Sequence, residues 1–178
     1  MKQQFTISIF TENKVGLLHR VTIIFTRRHI NIESITASES EVKGIYRYTI
    51  VVFETRENVE KVVKQIEKQV DVFTAFYHTT EEIIHQEMAL YKLPLDAVSK
   101  GLGLESIIRE HHARILSIEG DYIVIEKTGY KEQTQALLEK LRPFNVLEFV
   151  RSGRVAMMKQ KENFIDTLRE LEKSNGVE

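Results

Sequence analysis

The chain has 178 residues, of which 42% are apolar and 29% charged, with a formal net charge of −1 and no cysteine. That length holds one domain or two of about 80 to 100 residues each. The near-neutral charge argues against a dedicated nucleic-acid binder, whose footprint is a strong positive excess. Disulfides and thiolate metal sites are excluded, and no window approaches the ~20 apolar residues of a membrane span. The first residues, Met1-Lys2-Gln3-Gln4, enter a strand-like run rather than an apolar leader, so a cytoplasmic location is expected. Divided at Thr80, the chain has 11 basic and 9 acidic residues before that point and 14 and 17 after it, so neither half is polarised.

Phe5, Ile7 and Ile9 alternate with Thr6 and Ser8, the period of a half-buried strand. After Asn13-Lys14-Val15-Gly16, the residues Leu17, Leu18, Val21, Ile24 and Phe25 recur at helical spacing. A strand is expected from Asn31 to about Ser38, then a polar loop with Gly44, then the β-branched and aromatic run Tyr46–Phe53. Thr55 reads as a helix cap ahead of Val59, Val62, Val63, Ile66 and Val70, and residues 71–77 close the unit as a strand. The order strand–helix–strand–strand–helix–strand predicts a four-stranded antiparallel sheet with both helices on one face.

The second half repeats the order without repeating the sequence. A strand is expected over 86–94 and a helix from Leu104 to about His112, its start weakened by Gly101 and Gly103. A hairpin turns at Glu119-Gly120-Asp121, and a helix carrying Leu137, Leu138 and Leu141 stops at Arg142-Pro143. Residues 145–150 and 154–158 read as one last strand broken at Ser152-Gly153. Phe164, Ile165, Leu168 and Leu171 then mark a terminal amphipathic helix over 161–173. The fold class is therefore α+β, two ferredoxin-like βαββαβ domains at 1–78 and 82–160 with a helical extension at 161–178.

The strongest candidate site is the strand-to-helix turn at Asn13 and Gly16, with Asn31 opening the next strand. First-turn N–H groups of a helix lack intrahelical partners and receive carboxylates well. Gly16 lets a ligand approach the backbone, and Asn13 offers both a donor and an acceptor. Together these suit a small zwitterion. The competing reading, an Asx-turn with a glycine that only relieves a tight bend, carries slightly more weight on local chemistry alone. Asn31 shifts the balance, since a turn needs no second amide.

Other candidates are weaker. His111 and His112 are adjacent and point about 100° apart in a helix, so they do not face one metal. Arg142, Arg151 and Arg154 could grip a partner's carboxylates or a phosphate, against the heavier alternative of ordinary surface arginines. No Walker loop, GxSxG elbow, HExxH or GxGxxG after a strand is present, and no nucleophile–base pair stands out.

The run Asn13-Lys14-Val15-Gly16-Leu17-Leu18-His19-Arg20-Val21, continued by Arg27-Arg28-His29-Ile30-Asn31-Ile32-Glu33-Ser34, resembles an ACT domain. More narrowly it resembles the small regulatory subunits of acetolactate synthase (acetohydroxyacid synthase), and Arg142-Pro143-Phe144 with Arg151-Ser152-Gly153-Arg154-Val155-Ala156 looks like that family's C-terminal signature. The resemblance covers about residues 3–158. It implies a non-catalytic protein that forms a homodimer through its ACT domains and binds a branched-chain amino acid (valine, leucine or isoleucine), in this family usually valine. It also implies a separate catalytic large subunit as partner, made more active and inhibitable by valine, with no nucleic-acid or membrane partner. The family's effector contacts fall on Asn13, Gly16 and Asn31, with backbone at Val15, Leu17 and Ile32. Thiamine diphosphate, Mg2+ and FAD belong to the catalytic subunit, and no cofactor is expected in this chain.

Two features depart from the family. His29 stands where glycine is usual, at an expected left-handed turn. The terminal helix extends past the family's usual end, to dock on the catalytic subunit or, with slightly more weight, to cover this chain's own second domain. The rival from another class is a free-standing amino-acid sensor acting on transcription or on a different enzyme. Helices 104–112 and 131–142 are not strongly basic, which disfavours a DNA-reading output.

Overall fold

The structure, a computed structural model, describes residues 1–96, 103–160 and 164–174. Two compact units divide it, one holding Met1–Ile84 together with the chain from Arg154 onward, the other holding His85–Gly153.

The first unit follows the expected order, β1 (Lys2–Glu12), α1 (Leu17–Arg27), β2 (Ile32–Glu39), β3 (Ile45–Thr55), α2 (Arg56–Ile66) and β4 (Val72–Thr79). Its sheet is antiparallel in the order β2-β3-β1-β4. Alternation along β1 sends Phe5, Ile7 and Ile9 to one face, where they pack with Tyr48, Ile50 and Val52 of β3 and the apolar stripes of both helices. Thr55 caps α2 as its sequence position predicts, its hydroxyl accepting the Asn58 amide at 3.4 Å.

The opposite face of this sheet carries Thr6, Ser8, Phe10, Arg47 and Thr49, and it too is largely buried. Its cover comes from the chain's end, β9 (Val155–Met158) and α5 (Phe164–Ser174), within the same unit. Arg154 donates to Thr6 Oγ1 at 2.8 Å and Gln4 Oε1 at 2.7 Å, while Arg47 donates to the Ala156 carbonyl at 2.5 Å. Leu168 of α5 is buried with Phe10, Val42 and Ile45. The terminal helix thus covers the first unit's sheet, where the weightier expectation placed it on the second domain. The compact units accordingly do not follow the boundaries at 82–160 and 161–178. Expected helix residues 161–163, the side chains of Phe164 and Leu171, and Gly101 lie outside the described residues.

In the second unit β5 (Ile83–Pro94, shared with the first unit at its start), α3 (Leu104–Glu110), β6 (Arg114–Ile118), β7 (Tyr122–Gly129), α4 (Lys131–Leu141) and β8 (Glu148–Arg151) repeat the topology, with sheet order β6-β7-β5-β8. Tyr91, Leu93, Ile123, Ile125, Leu137 and Leu141 form its core. The buried Tyr91 hydroxyl donates to the Thr134 carbonyl at 2.6 Å, and burial pushes the phenol up to about 12. Pro143 lies in a 3-10 turn directly after α4, as the sequence predicts.

Candidate functional site

The β1–α1 loop is held by backbone bonds to the turns that lead into β4 and β3. The Glu12 amide donates to the Asp71 carbonyl at 3.0 Å and the Asn13 amide to the Gly44 carbonyl at 3.2 Å. A charged tie adds to them. Asp71 accepts from Lys14 Nζ and Arg20 Nη2, both at 2.8 Å, and Lys14 also lies 2.7 Å from Glu12. The hydrogen bonds from Lys14 and Arg20 hold the Asp71 carboxyl below its usual range. Neither Asp71 nor Gly44 was legible from sequence, since each reaches the loop only through the sheet.

Gly16 begins α1 in the left-handed region, φ 81°, and a Cβ built there would meet nothing within 4 Å. Space alone would therefore admit a side chain; the backbone conformation favours glycine. No side chain caps α1, and its first amide, that of Leu17, donates to the Lys14 carbonyl at 3.3 Å. Asn13, Val15 and Gly16 are exposed, whereas Leu17 is buried and offers only backbone to a ligand. His29 adopts φ 55°, the left-handed turn expected where the resembling family has glycine.

Asn31 and Ile32 are elsewhere in the unit. Glu12 pairs with Ile45 at the start of β3, whereas Ile32 pairs with Val52, seven residues further along that strand. At ~3.3 Å per residue the two junctions stand roughly 23 Å apart along the sheet. One chain therefore does not bring Asn13 and Gly16 together with Asn31. The strand that Asn31 opens, β2, is an edge of the sheet, and Ile35 on it and Leu18 on α1 are more than one-third exposed.

Two family models match, the AHAS small subunit-like ACT domain over residues 7–74 and the small subunit of acetolactate synthase over residues 86–160. Among curated relatives, the acetolactate synthase small subunit of Bacillus subtilis is 38% identical over 157 residues, 88% of this chain and 90% of that protein. The chain belongs to the acetolactate synthase small-subunit family. A probable member from Archaeoglobus fulgidus is 34% identical over 86% of this chain and 96% of its own length. The crystal structure of the acetolactate synthase small subunit from Thermotoga maritima matches with a TM-score of 0.80 and 29% identity, covering 90% of this chain and 99% of that one. The resemblance read from Asn13–Ser34 and Arg142–Ala156 thus identified the family, and the fold class of two ferredoxin-like units holds with it.

The remaining candidates of this family member are occupied structurally. Arg142 pairs with Glu139, and Arg151 donates to Gln135 at 3.0 Å beside the Glu87 carboxylate at 3.5 Å. Arg154 is buried in the first unit, so the three arginines do not form one cluster within either unit. His111 caps α3 and His112 turns the chain at φ 50°. Among the described residues no group of three His, Cys, Asp or Glu could hold a metal, and no helix is long and apolar enough to cross a membrane.

Proposed function

We propose that this chain is the non-catalytic regulatory subunit that activates a separate acetolactate synthase catalytic subunit and confers feedback inhibition by valine in branched-chain amino acid biosynthesis. Family membership supports the assignment, and the observation that carries the effector reading is the separation of the two half-sites. Asn13, Val15, Gly16 and Leu17 lie at one end of the sheet and Asn31 and Ile32 at the other. A two-fold axis that joins β2 edges and α1 helices would set the first half-site of one copy against the second half-site of its partner. Two complete sites then form per homodimer, and an edge strand that otherwise invites uncontrolled pairing is covered.

Valine's carboxylate would sit at the N-terminus of α1, on the first-turn amides after Leu17, and its ammonium on the carbonyl oxygens of Asn13 or Asn31. The protein works in the cytoplasm with the catalytic subunit, which carries the thiamine diphosphate, Mg2+ and FAD. It uses no cofactor, nucleic acid or membrane of its own.

The test compares Gly16→Asp with Gly16→Asn. Both residues accept the left-handed backbone better than most and share its strain. Only Asp adds a charge facing the carboxylate, a repulsion of about 4 kcal/mol at 4 Å with an effective dielectric of 20, less once screened. Effector coupling is typically ~1–3 kcal/mol, so Gly16→Asp should abolish valine inhibition of the reconstituted enzyme, with Gly16→Asn less impaired. Activation of the catalytic subunit should survive both. Calorimetry that finds wild-type valine affinity in Gly16→Asp would place the site elsewhere, and joint loss of activation and inhibition would assign Gly16 to the fold.

A further inference from the structure

Helix α5 lies beyond residue 160, where the match to the family's C-terminal model ends. Its Leu168 is fully buried, and two residues of its cluster, Val42 and Ile45, flank Gly44, a backbone anchor of the β1–α1 loop. Val42 is the apolar residue at the tip of the β2–β3 hairpin, among Ser40, Glu41, Lys43 and Gly44. The tip is closed on itself by Ser40, which donates to the Ile45 carbonyl at 2.8 Å and accepts the Val42 amide on its hydroxyl at 3.1 Å. Gly44, inside that closed turn, supplies the carbonyl that holds the Asn13 amide. On the other side Phe73 packs at the margin of the Leu168 cluster, two residues after Asp71, whose carbonyl holds the Glu12 amide.

We propose that α5 is a positioning element for the effector loop: Leu168, seated on Phe10, Val42 and Ile45, fixes the Gly44 and Asp71 anchors and so sets effector affinity without touching the effector. Hydrogen bonds close the hairpin tip, but among its mostly polar residues only Val42 and Ile45 seat it in a core. With Val42 and Ile45 packed under Leu168, the tip is part of a core and the Gly44 carbonyl keeps its place. With Leu168 removed, those side chains face water and the turn opens at low cost, as segments with few buried apolar contacts do. The loop's Gly44 anchor then loosens directly and its Asp71 anchor through Phe73, while the sheet's main core, on the opposite face, is untouched.

The effector half of this inference rests on the proposed valine site, and the test separates the two. In the full chain, Leu168→Ala should speed hydrogen exchange of the Asn13 and Glu12 amides about tenfold or more. Exchange at Ile7 and Ile50 should stay within about twofold of wild type. Valine affinity should fall about tenfold. Leu168→Met keeps the volume and should restore both readouts. Val62→Ala weakens the same unit from its other face and should leave the Asn13 and Glu12 rates unchanged. Wild-type exchange rates in Leu168→Ala, equal acceleration by Val62→Ala, or faster exchange with undiminished valine affinity would each overturn the proposal. If the wild-type chain binds no valine, the effector reading alone falls, and the exchange rates still decide whether α5 braces the loop.

Discussion

The two units solve the same chain-folding problem with the same punctuation and then diverge on the second face of their sheets. In each, the first helix starts at a left-handed glycine, Gly16 or Gly103, whose carbonyl accepts the amide four residues on. In each it ends at a left-handed histidine, His29 or His112, after which Ile30 or Ala113 donates back to the carbonyl five residues earlier. The second faces differ in chemistry. The first unit's is partly polar and buried, with Thr6, Ser8 and Thr49 almost inaccessible under Arg47, Arg154 and the C-terminal segment. The second unit's carries Met88 and Val150, each about half exposed, and Lys92 over the Tyr122 ring at 4.1 Å. Shared topology fixes which residues point to which face. What covers the second face is decided by side chains far away in sequence, and in the first unit that cover packs on Val42 and Ile45, on either side of Gly44.

If the first unit's second face is structural, its clamp should be costly to remove. Arg154→Ala strips two charge-assisted hydrogen bonds and should destabilise that unit by about 3 kcal/mol, with Lys a poor substitute for the two-pronged guanidinium. Val150→Ala, on the exposed face of the other sheet, should change stability by no more than about 0.5 kcal/mol. Hydrogen exchange followed separately in each unit is the appropriate measurement, since two units need not unfold as one. Equal effects of the two substitutions would erase the contrast.

Tyr91→Phe sharpens the contrast from the second unit's side. Loss of the bond to the Thr134 carbonyl should cost about 1 kcal/mol there and nothing in the first unit. The phenol is raised from 10 to about 12 by burial, so its neutral form is the one the fold favours. Its contribution is complete below pH ~10 and is lost as pH rises from there toward ~12. Alkaline titration of second-unit stability should show that loss in the wild type and lack it in Tyr91→Phe.

Much of this was legible in the sequence because it is local. The period-2 run from Phe5 to Ile9, the Thr55 cap, the stop at Pro143 and the left-handed turn at His29 all follow from neighbours within a few residues. The Asn13–Ser34 and Arg142–Ala156 runs carried the family. What the sequence did not show are long-range pairings. Arg154 looked like one of three surface arginines because nothing nearby reveals that Thr6 is its partner. The terminal helix had an apolar stripe, but a stripe does not say which core it joins. Asn13 and Asn31 read as one site because both flank α1, and an 11-residue helix is long enough to place its two ends at opposite ends of the sheet.

The smallest expected effect concerns the charged tie on the proposed effector loop. Asp71 sits at φ 71° and accepts from both Lys14 and Arg20, so its carboxyl is held below the usual aspartate range. A depressed folded value means that the tie contributes fully above the unfolded value, about 3.8, and is lost as pH falls through the lower folded one. Valine affinity should therefore be flat from about pH 8 to 5 and should fall only below about pH 4. Asp71→Asn keeps a residue that tolerates the left-handed backbone and deletes the charge. It should weaken valine binding modestly at neutral pH, since the backbone anchors at Gly44 and Asp71 remain. Several other carboxylates, Glu54, Glu82, Glu126 and Glu139, are also depressed, so acid loosens the protein generally. Only the difference between wild type and Asp71→Asn isolates the tie. That difference should shrink toward zero in acid, and second-unit exchange rates should be identical in the two proteins at every pH. A neutral-pH affinity unchanged by the substitution would leave the loop held by its backbone anchors alone.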